Sequence, residues 1–399
     1  MNSHFQIPTS NFIAMTPLSL YIHLPWCIRK CPYCDFNSHE VRDEVPEDRY
    51  VDALIADLES ELPRVWGRRI ESVFLGGGTP SLFSPEALDR LFSALRARLP
   101  WRPDMEVTLE ANPGTTDAQR FRGYREAGVN RLSIGIQSFD DGQLRRLGRI
   151  HGANEAREAF AAARSAGFDN INLDLMFGLP EQSVQSALGD LAQALALGPE
   201  HLSWYQLTLE PNTRFAAEPP ILPEEDTVWD MQETGQGRLA EGGYTQYEVS
   251  AYARPDRECR HNLNYWRFGD YLGLGAGAHG KISLPGEERI LRRWKLRQPR
   301  QYMEAALTGD AASGECTLTR EELVFEFVLN ATRLTRGVDT KLFTARTGLD
   351  PDALEPMRRR AIESGLLHDD SARMAPTATG RRFLNDLQAL FLADPRGTP

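Results

Sequence analysis

Leu18-Ser19-Leu20-Tyr21-Ile22-His23-Leu24-Pro25-Trp26-Cys27-Ile28-Arg29-Lys30-Cys31-Pro32-Tyr33-Cys34 decides the reading of this chain. The first seven residues form an apolar β-type run, and Pro25 ends it. Three cysteines then fall within eight residues, spaced Cys-x3-Cys-x2-Cys, while Cys259 and Cys316 stand alone. An odd total of five in a large chain makes a poor disulfide framework. Clustered thiolates suit soft metals, either zinc or an iron–sulfur cluster. A closed zinc site takes four ligands, and His23, Asp35 and His39 are the nearby candidates for a fourth. The spacing alone leaves zinc, a cluster and unligated thiols open.

Working outward, short apolar runs alternate with amphipathic helical stretches. Strands are expected at residues 18–24, 70–75, 105–109, 131–136, 170–175 and 201–207, each followed by a helix-type segment. Ser84-Pro85-Glu86 offers an N-cap, a proline at the first helical position and an early acid. Another helix is expected from Pro46-Glu47, with Val51, Leu54, Ile55 and Leu58 at helical spacing. β/α units in series imply parallel strands with right-handed crossovers. Polar residues recur just after successive strands, which favours an incomplete, TIM-like (β/α)6 barrel over a doubly wound sheet.

Beyond the prolines at 211, 219, 220 and 223, a helix is expected at residues 224–240 and strands at 245–249 and 271–280. The latter carries the run Gly273-Leu274-Gly275-Ala276-Gly277-Ala278-His279-Gly280, which reads as close packing or ligand approach. Helices at 321–334, 352–364 and 379–391, with a small hairpin between the last two, suggest a winged-helix-like α+β module. The expected divisions are a loose tail at 1–17, the barrel at 18–215, a linking extension at 216–315 and the C-terminal module at 316–399. The start could lie at Met1 or Met15, and residues 1–17 lack the pattern of a signal peptide.

The net charge of −11 argues against a nucleic-acid coat or a generic membrane-surface binder. The C-terminal module balances 12 basic against 12 acidic residues, without the basic excess of a DNA reader. Hydrophobic content of 41% with 25% charged residues is globular composition. No apolar run reaches the roughly 18 residues of a spanning helix. A soluble, cytoplasmic protein is expected, touching a membrane only through a partner.

Several further elements follow the cysteines in order. They are Gly76-Gly77-Gly78-Thr79-Pro80 after the second strand, Glu110 and Asn112-Pro113 after the third, and Gln137-Ser138 after the fourth. Gly148-Arg149-x-His151 comes next, then Asp174 within Asn172-Leu173-Asp174-Leu175-Met176-Phe177-Gly178-Leu179-Pro180. Taken together they resemble the radical S-adenosylmethionine (SAM) superfamily. The resemblance implies that Cys27, Cys31 and Cys34 ligate a [4Fe-4S] cluster. It places Tyr21 and the Tyr33 backbone beside the SAM methionine moiety and Gly77, Gly78 and Thr79 at its amino end. Arg149 would contact its carboxylate, and Glu110, Gln137 and Asp174 its amino group or ribose, pairings that suit a guanidinium and acceptor groups respectively.

Within that superfamily the chain is most similar to the oxygen-independent coproporphyrinogen III dehydrogenase group, which includes a haem-chaperone branch. Phe36 stands where the dehydrogenase pattern has a fourth cysteine, and the stretch before Tyr21 is short. His261-Asn262-Leu263-Asn264-Tyr265-Trp266 matches the chaperone pattern His-Asn-x-x-Tyr-Trp. The resemblance implies haem binding at His261, Asn262, Tyr265 and Trp266, since an imidazole can ligate haem iron and aromatic rings can pack on a porphyrin. Cys259 and His279 are rival ligands. The implied partners are haem and an apo-haemoprotein, with a respiratory enzyme as one candidate. Coproporphyrinogen decarboxylation is the alternative activity, so whether the chain is an enzyme stays open.

Overall fold

The computed structural model describes residues 16–114 and 117–392. Six strands follow the expected order: β1 Leu18–Leu24, β2 Ile70–Gly77, β3 Trp101–Ala111, β4 Arg131–Gln137, β5 Ile171–Phe177 and β6 His201–Gln206. They pair side by side in sequence order and all run parallel. Helices Glu47–Val65, Pro85–Arg98, Ala118–Ala127, Ala153–Ser165 and Val184–Leu197 fill the crossovers. The cover explains the near-continuous apolar composition of these strands. The Ser84 hydroxyl caps the second of these helices, accepting from Ala87 N–H at 3.2 Å, with Pro85 at the first helical position.

The sheet does not stop at these six. After helix Glu225–Glu241 come β7 Thr245–Glu248 and β8 Ala251–Ala253, which extend it antiparallel beyond β6. At the other edge β9 Asp270–Leu274 pairs parallel with β1, and β10 His279–Leu284, β11 Arg289–Lys295 and β12 Ala312–Thr317 continue antiparallel. Among the described residues the result is one twelve-stranded sheet.

This corrects the expected single strand at 271–280: it is a hairpin, turned at residues 275–278. Gly275 and Gly277 there have φ of +104° and +78°. A Cβ on Gly277 would lie 2.4 Å from the Asn37 amide, so the glycines serve a close approach between the turn and the cysteine loop. The extension is fastened to helix Glu47–Val65 by buried charges. Lys295 Nζ reaches Asp57 at 2.6 Å, and Arg293 Nε reaches Glu61 at 2.7 Å.

Thr16 and Pro17, read as the end of a tail, are tied down; the rest of that tail and both start methionines lie outside the described residues. Arg68 Nη2 donates to the Thr16 carbonyl at 2.9 Å, and Asp270 N–H to that of Pro17 at 2.9 Å. In the C-terminal region, helix Arg320–Ala331 opens with a Thr319/Glu322 capping box. Phe327 packs against Phe268 and Phe343, joining this part to the body. The helix expected at 352–364 is a 3-10 turn, Pro351–Leu354, and a helix, Met357–Glu363, separated by Pro356. That expected at 379–391 divides at Phe383 into Ala378–Arg382 and Leu384–Ala389. The expected hairpin forms as a short antiparallel pair: Leu367 bridges Pro376, with His368 N–H donating to the Ala375 carbonyl at 3.1 Å and Thr377 N–H to that of Leu366 at 3.0 Å. Arg373–Met374 also pairs with Val338–Asp339.

Candidate functional site

The cysteines lie on a loop leaving the C-terminal end of β1. A short parallel pair, Trp26–Cys27 with His39–Glu40, closes its neck. Cys27 is buried, and Cys31 and Cys34 are half-buried. Burial, helped by the two other sulfurs, pushes the Cys27 thiol up to about 11, while the Thr79 hydroxyl at 3.6 Å pulls the other way. Burial also raises Cys34. Thiols held this way become thiolates only against a strong local cation, which a coordinated metal group provides. Among the described residues no three His, Cys, Asp or Glu side chains converge on one ion position.

The three cysteines line a cavity of about 330 Å³, and all but one of the residues expected to hold SAM line it with them: Tyr33, Gly77, Gly78, Thr79, Glu110, Gln137, Arg149 and Asp174. Arg149 is steered by Asn112 Oδ1 at 2.6 Å and the Gly135 carbonyl at 2.8 Å, and Nη1 reaches Cys31 Sγ at 3.7 Å. Its buried Nε has no hydrogen-bond partner. Glu110 accepts from Gly77 N–H at 3.1 Å. Burial, reinforced by Asp174, pushes the Glu110 carboxyl up to about 8. Burial raises Asp174 too, although Ser133 and Asn172 each donate to it at 2.9 Å. Gln137 sits at φ +71°, where β4 slips register against β5. Such strain at a strand end re-aims a side chain and is concentrated at functional sites. Its Oε1 accepts from Tyr205 OH at 2.9 Å.

The glycine run has a packing reason of its own. A Cβ on Gly77, at φ +119°, would lie 2.7 Å from the His23 ring, and one on Gly78 2.5 Å from the Trp26 carbonyl. Gly77 is therefore fixed by the end of β1 and Gly78 by the neck of the cysteine loop, as well as by any ligand. Tyr21 is the residue not gathered into this cavity. Its hydroxyl bonds His23 Nδ1 at 2.9 Å, and its ring faces a second, larger cavity of about 620 Å³.

That larger cavity is also lined by His261, Asn262, Tyr265, Trp266 and His279, and it shares Phe36, Gly77, Glu110, Ser133, Asp174 and Ser203 with the cysteine cavity. His261 is on the short helix Arg260–Trp266 and is 1% exposed. Both ring nitrogens are engaged, Nδ1 with Ser72 Oγ and Nε2 with Tyr265 OH, each at 3.0 Å. Burial, with Arg131 nearby, pulls it down to about 3, so the ring is neutral at pH 7. Phe74 and Tyr265 lie 5.2 and 4.8 Å from it, ring centre to ring centre. Trp266 carries Arg333 over its face at 4.3 Å. Cys259 turns away: its buried Sγ donates to Glu106 at 3.6 Å. His279 is exposed and stacks on Trp294.

Residues 21–192 match the family model described as the radical SAM superfamily, and residues 318–383 match the HemN C-terminal domain. The heme chaperone HemW of Escherichia coli K12 is 51% identical over 382 residues, covering 96% of this chain and 100% of that one. The chain belongs to the HemW family of radical SAM proteins. HemW of Haemophilus influenzae is 47% identical (95% of this chain, 99% of that one) and HemW of Bacillus subtilis 34% identical (94% and 99%). Among solved structures, coproporphyrinogen III oxidase (HemN) from Escherichia coli, described as a radical SAM enzyme, superposes with a TM-score of 0.79 at 26% identity. It covers 94% of this chain and 90% of that one. The mixed α/β architecture is thus that of the radical SAM fold with a HemN-like whole.

Asn112, singled out after the third strand, holds Arg149. Two contributors escaped sequence reasoning: Tyr205, near the end of β6, which holds Gln137, and Arg131. Arg131 is a charge at the head of an otherwise apolar strand, a signal that periodicity ignores.

Proposed function

We propose that this chain is a haem chaperone. It binds haem in the larger cavity and passes it to an apo-haemoprotein, with a respiratory enzyme as the proposed recipient and the cytoplasm as the compartment. The observation that carries the reading is His261, a neutral imidazole among aromatic rings on the wall of a cavity of about 620 Å³. Such a volume is in the range of small-molecule sites. No helix among the described residues is long and apolar enough to cross a membrane.

The cysteine cavity fits a [4Fe-4S] cluster and SAM: it offers three sulfurs, a buried guanidinium with an unspent donor, and carboxyl groups beside it. A cluster held by three cysteines keeps one iron open to the amino and carboxylate groups of SAM and can supply it with an electron. Arg149 would hold the SAM carboxylate, with Asn112 and Gly135 fixing its plane. Glu110, Gln137 and Asp174 would receive ammonium or ribose donors, Gly77, Gly78 and Thr79 would line the amino end, and Tyr33 would close the side. Tyr21, on the other cavity, would reach that site only across Gly76 and Gly77.

In the larger cavity His261 would ligate iron through a ring nitrogen released from its present bond, while Tyr265, Trp266 and Asn262 frame the porphyrin. A haem titration followed by the Soret band tests this. His261→Ala should weaken binding about tenfold or more, equivalent to about 1.4 kcal/mol. Unchanged affinity and spectrum would remove His261 from the site.

The shared wall of Glu110, Ser133 and Asp174 favours one second reading, oxidative decarboxylation of coproporphyrinogen III, because a porphyrinogen there would border the SAM site. That reading requires 5′-deoxyadenosine and protoporphyrinogen from reconstituted protein under anaerobic, reducing conditions. No porphyrin turnover with an intact cluster excludes it.

A further inference from the structure

Arg131 is the first residue of β4 and is 2% exposed. It lines the larger cavity. A guanidinium keeps its charge at any ordinary pH and carries five N–H donors. Removing such a charge from water is costly unless it is paired. Three other buried cations among the described residues obey that rule: Lys281 meets Asp270 at 2.9 Å, Lys295 meets Asp57 at 2.6 Å, and Arg293 meets Glu61 at 2.7 Å. Arg131 does not. Its Nε is buried without a hydrogen-bond partner, and among the described residues it enters no ion pair.

The acids near it bond to other groups. Glu106 Oε1 accepts from Cys259 Sγ at 3.6 Å and from His261 N–H at 3.2 Å. Asp174 takes Ser133 on one oxygen and Asn172 on the other. Both act on Arg131 only through space. A buried fork of donors facing a cavity is the complement of a planar, two-oxygen anion. Aromatic rings of Tyr21, Phe74, Tyr265 and Trp266 line another part of the cavity. Beside them are the carboxyl groups of Glu110 and Asp174 and the cations Lys281 and Arg292, which are paired with Asp270 and Glu326. An occupant matching both features has a flat apolar body and a carboxylate at its edge. The SAM carboxylate is not that group, because Arg149 lines the other cavity.

We propose that Arg131 binds a propionate carboxylate of the porphyrin held in the larger cavity. The assignment rests on the haem reading above and makes the cavity selective for the free acid over its esters.

The test titrates full-length wild type, Arg131→Gln and Arg131→Lys with haem and with haem dimethyl ester, which keeps the ring and iron but loses both carboxylates. Wild type should bind haem about tenfold tighter than the diester. Arg131→Gln should bind both ligands alike, at the diester's affinity, while Arg131→Lys keeps part of the preference. Circular dichroism checks that each variant is folded. If the glutamine variant does not fold, the wild-type comparison and the lysine variant still decide. Equal binding of haem and diester by wild type, or an undiminished preference in Arg131→Gln, overturns the assignment and leaves the haem reading standing. No binding of either ligand by wild type overturns both.

Discussion

The two cavities share a wall that includes Phe36, Gly77, Glu110, Ser133, Asp174 and Ser203. Each holds one guanidinium with an unpartnered Nε, Arg149 in one and Arg131 in the other. They differ in the groups expected to meet the iron. In the cysteine cavity the three thiols are free of disulfides and make long contacts, with Thr79 at 3.6 Å and with Arg149 at 3.7 Å. In the larger one both nitrogens of His261 are committed, to Ser72, 189 residues away, and to Tyr265. The first arrangement suits a group that is bound and kept. The second makes an incoming ligand compete with an existing hydrogen bond, which lowers affinity and eases release. A carrier needs that second behaviour.

The contrast breaks most completely at the sulfurs. Replacing Cys27, Cys31 or Cys34 by alanine should abolish the brown colour and the iron and sulfide content of anaerobically reconstituted protein. Cys259→Ser and Cys316→Ser should leave both intact. Zinc without sulfide in the wild type would void the cluster assignment and, with it, the distinction between a kept and a carried ligand.

The shared wall offers a smaller effect. Glu110 has a pKa of about 8 in the folded protein against 4.5 for an ordinary glutamate. Between those values the folded state holds a proton that the unfolded chain has lost, so stability falls as pH rises through this window and levels off above about 8. Denaturant titrations across it should show that slope in wild type and a flatter profile in Glu110→Gln. An ammonium group placed against Glu110 favours its ionised form. SAM binding near neutral pH should therefore release a proton, seen as a buffer-dependent heat in calorimetry, and the glutamine variant should not release it.

The smallest effect sharpens the comparison most. Tyr265→Phe keeps the ring and frees His261 Nε2. One hydrogen bond is worth about 1 kcal/mol net, so haem should bind about fivefold tighter and leave more slowly, opposite in sign to His261→Ala. Weaker binding would mean that Tyr265 supports the ligand instead of competing with it.

These two regions were also unequally legible. The cysteine cavity is assembled from strand ends, where spacing in sequence translates into position, and eight of its nine expected SAM residues line it. Tyr21 escaped because a strand's side chains alternate between faces, and nothing in the motif says which face it takes. The larger cavity depends on pairing between β1 and β9, some 250 residues apart. No local pattern encodes that pairing. The same limit turned residues 271–280 from one strand into a hairpin. It also hid Arg131, whose lack of a partner is a property of the packed sheet alone. In the C-terminal region, Pro356 and the break at Phe383 divided helices whose apolar spacing continued across them.

Asn37 gives the cysteine loop a mechanical property. Its amide donates to the Ala276 carbonyl at 2.9 Å and to that of Arg297 at 2.8 Å, while its own carbonyl meets His23 Nε2 at 2.8 Å. One side chain thus rivets the sulfur-bearing loop to the turn of the β9–β10 hairpin, 239 residues along the chain. The same hairpin lends Gly277 and His279 to the wall of the larger cavity, so a single amide ties the loop that carries the sulfurs and the rim of the neighbouring cavity to one piece of backbone.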